Sequence, residues 1–227
     1  DVCSSDLSHF VERLLSEGHT VTDYDCMTYC ASKELPFDSN PNYTHNHENI
    51  CSMTHIPPCD VVVNFAAETH VDNSIHDSMP FIKSNILGVH NLLELIRNYR
   101  QETSKTPTLL HFSTDEVYGD IEEGAHIETD LLKPSNPYSA TKAAADMLVL
   151  AWGRTYNLSY VIIRPTNNYG MGQYVEKLIP KACKYLKLGR KIPLHNDGTP
   201  IRNWLHAQDT ANAVITIIRS EEHTSEL

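Results

Sequence analysis

A tyrosine and a lysine, Tyr138 and Lys142, stand four residues apart. On a helix this spacing brings both side chains to one face. An ammonium group beside a phenol favours the phenolate, which would allow the pair to act as a base near neutral pH. The spacing is common by chance and also describes an ordinary surface pair. Pro137, directly before Tyr138, suits a helix start and favours the catalytic interpretation.

A second group of reactive side chains, Ser113 to Glu116, follows an apolar stretch. A hydroxyl of Ser113 or Thr114 could polarise the same substrate oxygen as Tyr138. Asp115 and Glu116 could serve as acid and base on neighbouring substrate atoms. Because consecutive strand residues face opposite ways, both acids reach one substrate only if the chain turns after Ser113, and we predict that turn. The alternative is a pair of solvated acids on a loop.

The elements that must position these residues alternate between strand and helix. Strands are predicted at 20–24, 60–66, 107–113 and 159–164, and helices at 8–18, 81–97, 138–156, 176–188 and 207–218. The segment 26–58 has the least pattern and is expected to be mostly loop. Such alternation predicts an α/β fold with a doubly wound parallel sheet, whose ligands bind beyond the carboxyl ends of the strands.

The end of the first predicted strand carries Asp25. An acid at this place can accept hydrogen bonds from the adenine-side ribose hydroxyls of NAD and disfavours the extra phosphate of NADP. An Asp after a strand is also often a simple turn residue. The glycine loop that cradles the cofactor's phosphates should precede the helix at 8–18, but none of the nine glycines forms it.

Composition excludes several classes of partner. The chain has 227 residues, 18 basic and 29 acidic, and a net charge of -11, which argues against nucleic acid as a partner. It has no apolar run long enough for a membrane span and no leader-like start, so we expect a cytoplasmic protein without membrane contact. The six cysteines lack paired metal-ligand spacing and are expected to be free thiols, with no metal site.

Four motifs resemble those of dTDP-glucose 4,6-dehydratases, which are NAD-dependent nucleotide-sugar enzymes of the extended short-chain dehydrogenase/reductase family with a Rossmann-type fold. The motifs are NFAAETHVDNSI (64–75), LLHFSTDEVYGD (109–120), NPYSATKAAAD (136–146) and NNYG (167–170). The resemblance covers residues 8–218. Thr-Asp-Glu after the strand is the discriminating feature, because related epimerases and decarboxylases usually have small or hydroxyl residues there.

The resemblance implies a catalytic sequence. Tyr138, supported by Lys142, takes the proton of the sugar's C4 hydroxyl while a hydride passes to NAD. Glu116 then removes the C5 proton, Asp115 protonates the departing C6 hydroxyl, and the hydride returns to C6. Thr114 hydrogen-bonds near C4, so that the catalytic set is Thr114, Asp115, Glu116, Tyr138 and Lys142.

The resemblance also implies binding residues. The NAD-binding set is Asp25, Asn49, Ile50, Ala66, Ala67, Glu68, Ser84, Tyr138, Lys142 and Asn168. The substrate-binding set is His70, Thr114, Asn167, Lys177, Leu178 and Arg202. Two departures leave the nucleotide base open: Asn49 replaces a usual Asp near adenine, and GMGQYVEKL (170–178) lacks the usual aromatic and proline residues.

The resemblance divides the chain into residues 8–170, an NAD-binding domain without its first strand and glycine loop, and 171–218, part of the nucleotide-sugar-binding region. One DNA segment read on both strands can encode the two ends, so we expect 1–7 and 219–227 to be adapter-derived and non-native. On this interpretation the chain alone is a truncated, inactive piece of a protein that is a homodimer at full length.

Two other functions remain open from the sequence. A UDP-sugar decarboxylase or epimerase of the same family would keep Tyr138 and Lys142 but would not need both Asp115 and Glu116. A non-catalytic nucleotide-sensing domain would bind NAD and tolerate loss of Glu116 or Tyr138.

Overall fold

The computed structural model describes residues 4–32 and 34–220, in which helices lie on both faces of parallel strands. The strands are β1 (Val21–Asp25), β2 (Tyr43–His47), β3 (Val61–Asn64), β4 (Thr108–Phe112), β5 (Tyr160–Ile163), β6 (Asn167–Tyr169) and β7 (Trp204–His206). The helices are α1 (Ser4–Ser16), α2 (Val71–His76), α3 (Met79–Phe81), α4 (Val89–Thr103), α5 (Pro137–Tyr156), α6 (Leu178–Lys187) and α7 (Ala207–Arg219). A π-helical stretch, Ile82–Gly88, joins α3 to α4, and single 3-10 turns occupy Asp115–Tyr118 and His195–Gly198.

The main sheet has the order β3-β4-β5 with all strands parallel, which is the predicted doubly wound α/β arrangement. Parallel neighbours need long crossovers, and here α2, α3 and α4 connect β3 to β4 while α5 connects β4 to β5. The carboxyl ends of β3 and β4 therefore lie side by side. Asn64 pairs with His111 in the register, so the residues that follow both strands emerge at one edge.

The two faces of β4 bury different cores. Leu109 packs with Leu93 and Ile96 of α4 and Val149 of α5. Leu110 and Phe112 instead pack with Phe10 of α1 and with Val214 and Ile215 of α7. This alternation follows from the two-residue period of a strand, and it turns His111 toward the α4 and α5 side.

The described part of segment 26–58 is mostly loop, as predicted, but it contains the unpredicted strand β2, which pairs with β1 in parallel from Val21 opposite Tyr43 to Asp25 opposite His47. The sequence YTHNH has no apolar run, and most of its side chains are exposed. Only Tyr43 is buried, where its ring packs edge-on against Phe37 at 4.8 Å between centroids. Backbone pairing rather than side-chain burial defines this strand, which is why the hydrophobic pattern missed it.

Other boundaries differ by a few residues. Helix α1 begins at Ser4 rather than Ser8 and so includes part of the segment expected to be non-native; residues 1–3 and 221–227 lie outside the described residues. The predicted stop at Gly18 is present, because this residue has φ +84. The short strands β6 and β7 pair with each other and were not predicted. In the described residues, β1 and β3 belong to separate sheets.

No helix within residues 4–32 and 34–220 is both long and apolar enough to cross a membrane. The same residues hold no group of three or more His, Cys, Asp or Glu side chains suited to a metal ion. Cys26, Cys51, Cys59 and Cys183 carry free thiols.

Candidate active site

Helix α5 presents Tyr138 and Lys142 on one buried face. Asn136 caps the helix by accepting a hydrogen bond from the Ser139 amide at 2.9 Å, and Pro137 occupies its first turn. The Tyr138 amide, still free of intrahelical bonding at this position, donates to the Ser74 hydroxyl of α2 at 3.1 Å. Tyr138 is 6% exposed and Lys142 is 1% exposed, so the surface-pair alternative is wrong.

The protonation of this pair differs from the prediction. Burial lowers the pKa of Lys142 to about 8, and its ammonium donates to the Phe112 carbonyl oxygen at 2.5 Å. Burial and the nearby Glu116 carboxylate raise the pKa of Tyr138, against a smaller lowering by a hydrogen bond from Thr114. Lys142 is not among the main groups that shift the pKa of the phenol, so the expected lowering is not seen. Desolvation instead favours the protonated form of Tyr138.

The end of β4 makes the predicted turn. Thr114 is extended, and the chain then enters the 3-10 turn Asp115–Tyr118. The Glu116 amide donates to the Thr114 hydroxyl oxygen at 3.3 Å, while the Asp115 amide donates to the Pro165 carbonyl at 3.1 Å. The turn brings both carboxyl groups close enough to Tyr138 to raise the pKa of its phenol.

Glu116 is a mostly buried carboxyl group with a raised pKa, as expected of a general base. Burial raises the pKa of this carboxyl, and Asp115 raises it further. A hydrogen bond from the Asn136 side chain, 3.3 Å from Oε2, opposes the rise, as do the positive charges of Arg202 and Lys177. Those two cations, predicted to bind substrate, therefore lie within electrostatic range of Glu116.

The loop after β3 contains Ala66, Ala67, Glu68 and His70. It is fixed by Asn85, a fully buried residue of the π-helical stretch. Asn85 accepts from the Glu68 amide at 2.8 Å and donates to the Glu68 carbonyl at 3.0 Å and to the Thr141 hydroxyl at 2.9 Å. The sequence analysis missed Asn85 and named its neighbour Ser84 instead. A polar residue four positions from Phe81 and from Val89, on the apolar stripe, was the available signal.

The remaining residues of this loop and of α2 take structural partners. The Ala66 amide donates to the Asn64 side chain at 3.1 Å, and Ala67 is buried. His70 caps α2 by accepting from the Asn73 amide, so its substrate role stays a prediction.

The predicted adenine-side residues lie at the carboxyl ends of β1 and β2. Asp25 accepts a hydrogen bond from the Met27 amide at 2.6 Å, which supports the turn interpretation and leaves its other oxygen for a ligand. Asn49 accepts from the Cys51 amide at 2.8 Å. Ile50 packs so closely on Gly88 that any side chain at Gly88 would collide with it. Asp25, Asn49 and Ile50 thus follow the strands of the β1-β2 sheet, whereas Asp115 and Glu116 follow β4 of the main sheet.

The predicted substrate-side residues surround the start of α6 and β6. Lys177 donates to the Thr69 hydroxyl at 3.0 Å and so connects α6 to the loop after β3. Asn167 donates to the Asn203 carbonyl at 3.4 Å, and its neighbour Asn168, which was predicted to bind NAD, accepts from Thr210 at 2.8 Å. Leu178 is exposed, as is Arg202, whose guanidinium donates to the neighbouring Ile201 carbonyl at 2.8 Å.

Comparison with known proteins agrees with this geometry. The model of the NAD dependent epimerase/dehydratase family matches residues 8–226. The chain is 39% identical over 212 residues to a dTDP-glucose 4,6-dehydratase of Haemophilus influenzae, a match that covers 87% of this chain and 63% of that protein. It is also 39% identical over 228 residues to a trifunctional UDP-glucose 4,6-dehydratase/UDP-4-keto-6-deoxy-D-glucose 3,5-epimerase/UDP-4-keto-L-rhamnose-reductase of Arabidopsis thaliana, with 95% of this chain and 34% of that protein covered. The chain thus spans one to two thirds of these relatives.

Solved structures give the same result. A dTDP-glucose 4,6-dehydratase from Streptomyces venezuelae with NAD bound superposes with a TM-score of 0.86 at 34% identity, covering 94% of this chain and 68% of that chain. A UDP-glucuronic acid 4-epimerase from Bacillus cereus has a TM-score of 0.84 at 23% identity, which shows a shared fold only. The resemblance predicted from the four sequence motifs is confirmed.

Proposed function

Because the chain belongs to the NAD dependent epimerase/dehydratase family, we propose that the full-length protein is a nucleotide-sugar 4,6-dehydratase that converts dTDP-glucose to dTDP-4-keto-6-deoxyglucose. The observation that carries the proposal is the turn after β4, which brings Asp115 and Glu116 beside Tyr138. Loss of water from a sugar requires an acid and a base on neighbouring carbons. A 4-epimerase or a decarboxylase has no step that uses this second pair.

The residues present fit NAD as the cofactor. Asp25 has a carboxylate oxygen available at the end of β1, where a ribose hydroxyl would donate a hydrogen bond to it. Lys142 has three N–H donors, and Phe112 uses one of them, so the ammonium can also hold a ribose hydroxyl. When bound, NAD would supply the acceptor for the C4 hydride and the donor that reduces C6.

The protein's own groups would move the protons. In its phenolate form, which the positive charges of Lys142 and of the oxidised nicotinamide would favour, Tyr138 accepts the proton of the C4 hydroxyl, and the nearby Thr114 hydroxyl helps to hold that oxygen. Glu116 removes the C5 proton, which the C4 ketone makes acidic. Its raised pKa makes Glu116 a stronger base than an exposed carboxylate. Asp115 gives a proton to the C6 hydroxyl, which leaves as water.

Lys177 and Arg202 are suited to the diphosphate of the nucleotide sugar. Arg offers a two-pronged hydrogen-bonding group to phosphate, and Lys a compact positive charge. Both are close enough to Glu116 to affect its pKa, which supports a diphosphate that lies beside the reacting sugar. UDP-glucose is the second candidate substrate, since a relative of equal identity is named a UDP-glucose 4,6-dehydratase.

Product analysis tests the proposal. Purified full-length protein with NAD should convert dTDP-glucose to a product lighter by one water, with no net release of NADH. The ratio of kcat/KM for dTDP-glucose and UDP-glucose then assigns the nucleotide. A product of unchanged mass, or carbon dioxide released from a UDP-uronate, would contradict the dehydratase proposal.

A further inference from the structure

A buried acid lies one helical turn beyond the catalytic pair. Tyr138, Lys142 and Asp146 stand at four-residue intervals on α5 and therefore share one face of the helix. Asp146 is 0% exposed, and an acid is rarely buried so completely unless it is paired with another group. The sequence of proton transfers described above does not use it.

Asp146 is held in place by an ion pair with a residue that follows β5. Arg164, which follows β5, donates from Nε to its Oδ2 at 2.9 Å. The same guanidinium donates to the Tyr118 hydroxyl at 2.6 Å and lies 5.0 Å from the Tyr118 ring centroid. Tyr118 belongs to the 3-10 turn that carries Asp115 and Glu116. One chain of contacts thus joins the acid-base turn to the back of α5.

The other oxygen of Asp146 faces a polar cluster. Within the described part of the chain, Asp146 Oδ1, His111 Nε2 and Ser113 Oγ are all buried and none meets the geometry of a hydrogen bond, although the Ser113 hydroxyl is close enough to lower the pKa of Asp146. His111 Nε2 is 3.7 Å from Oδ1, and burial together with Lys142 and Arg164 lowers the pKa of His111 well below its usual value, so His111 is neutral. The titratable and charged groups near Asp146 are therefore Lys142 and Tyr138 from its own helix, neutral His111 from β4 and Arg164 from the end of β5; Asp146 raises the pKa of Lys142 and, more weakly than burial and Glu116 do, that of Tyr138.

Lys142 needs a negative partner to stay charged. Its Nζ contacts the Phe112 carbonyl, and burial works against its ammonium form. Asp146 is the charged group whose field opposes that effect. Burial raises the pKa of Asp146, and the Ser113 hydroxyl, Arg164 and Lys142 oppose that rise, so these groups favour the ionised carboxylate. A cation held by one hydrogen bond to a neutral carbonyl would otherwise lose its proton in such a place.

We propose that Asp146 is a positioning residue of the catalytic site: its carboxylate, fixed by Arg164, keeps Lys142 in the ammonium form that supports Tyr138. The inference rests on the proposed function for the role of Lys142, and it deepens that function by adding a residue that touches neither cofactor nor sugar. A purely structural ion pair between α5 and β5 would join the two elements without affecting Lys142.

Titration of Lys142 separates these roles without an activity assay. In full-length protein carrying ¹³C-labelled lysine, the Lys142 signal is assigned by its loss in Lys142→Met and is followed by NMR against pH. The midpoint is expected near the value of about 8 set by burial. Asp146→Asn should move it to about 7 or lower, because a favourable charge is removed. Asp146→Glu should restore it, and the exposed Asp209→Asn should leave it unchanged.

The double variant Asp146→Asn/Arg164→Gln provides a second test, since it does not leave the charge of Arg164 without its partner. Its Lys142 midpoint should also fall, because Asp146 lies one turn from Lys142 on the same face. A midpoint that stays at the wild-type value, or rises, in the folded Asp146→Asn protein or in the double variant would overturn the inference.

Kinetics give the functional arm. In Asp146→Asn the alkaline limit of kcat for dTDP-glucose should move to lower pH, with kcat reduced about fivefold or more near pH 8 and KM little changed. A fall in KM and kcat together at every pH would instead indicate a structural role. Absence of turnover in the wild-type protein would contradict the proposed function, whereas an unmoved Lys142 titration contradicts this inference alone.

Discussion

Asn85→Ala should remove the hydrogen bonds that hold the loop after β3 in place, and it should therefore weaken cofactor binding. The substitution removes three hydrogen bonds, to the Glu68 amide at 2.8 Å, the Glu68 carbonyl at 3.0 Å and the Thr141 hydroxyl at 2.9 Å. At about 1 kcal/mol each, with part of the loss recovered where water reaches the half-buried Glu68, the cost is about 2 to 3 kcal/mol. This is a large part of a stability margin of roughly 5 to 15 kcal/mol.

Urea unfolding of full-length protein measures that cost, and calorimetry measures the NAD dissociation constant. Leu158→Ala is the matched control, because Leu158 is buried in the α4 and α5 core and its truncation costs about 2 to 5 kcal/mol without touching the loop. We expect weaker NAD binding in Asn85→Ala and unchanged binding in Leu158→Ala. An unfolding cost below about 0.5 kcal/mol, or equal loss of NAD affinity in both variants, would refute the reasoning.

Three further predictions concern the site and its support. Gly119→Ala should destabilise the protein and reduce dehydration, because Gly119 has φ +87 and an added Cβ would collide with the Lys133 carbonyl; thermal unfolding and turnover measure both effects. Tyr138→Phe should reduce turnover by about 10²-fold or more with the fold retained, and should prevent formation of NADH on the enzyme. NADH formed by this variant at the wild-type level would contradict the prediction. His111 has a depressed pKa in the folded protein, so protonation favours the unfolded chain and stability should fall as pH drops below about 6.5. His111→Gln should make that fall shallower in pH-dependent urea unfolding, and an identical slope would contradict the prediction.

The order of elements around the main sheet could be predicted from the sequence because burial determines it. The apolar runs at 61–63 and 108–112 became β3 and β4, and the pattern around Lys142 became a helix that begins at Pro137. Strand β2 could not be predicted, since its polar sequence is held by backbone pairing to β1. The short strands β6 and β7 could not be predicted either, because they are defined by their pairing with each other.

The candidate site was predictable in its residue types and less so in its electrostatics. The turn after Ser113 followed from the need for two neighbouring acids to face one way, and the structure contains it. The proton on Tyr138 could not be predicted, because the burial that decides it depends on packing from several elements. Asn85 and Asp146 were missed for a related reason, as each acts through residues distant in sequence.

The central claim, that Glu116 is the base that removes the C5 proton, is tested most directly by Glu116→Gln in deuterium oxide. In full-length protein with dTDP-glucose and NAD, this variant should still oxidise C4, so that NADH accumulates on the enzyme, but deuterium should not enter C5. Turnover should fall by about 10²-fold or more. The exposed Glu122→Gln is the matched control and should behave as wild type. Deuterium at C5 at the wild-type rate in Glu116→Gln would contradict the account.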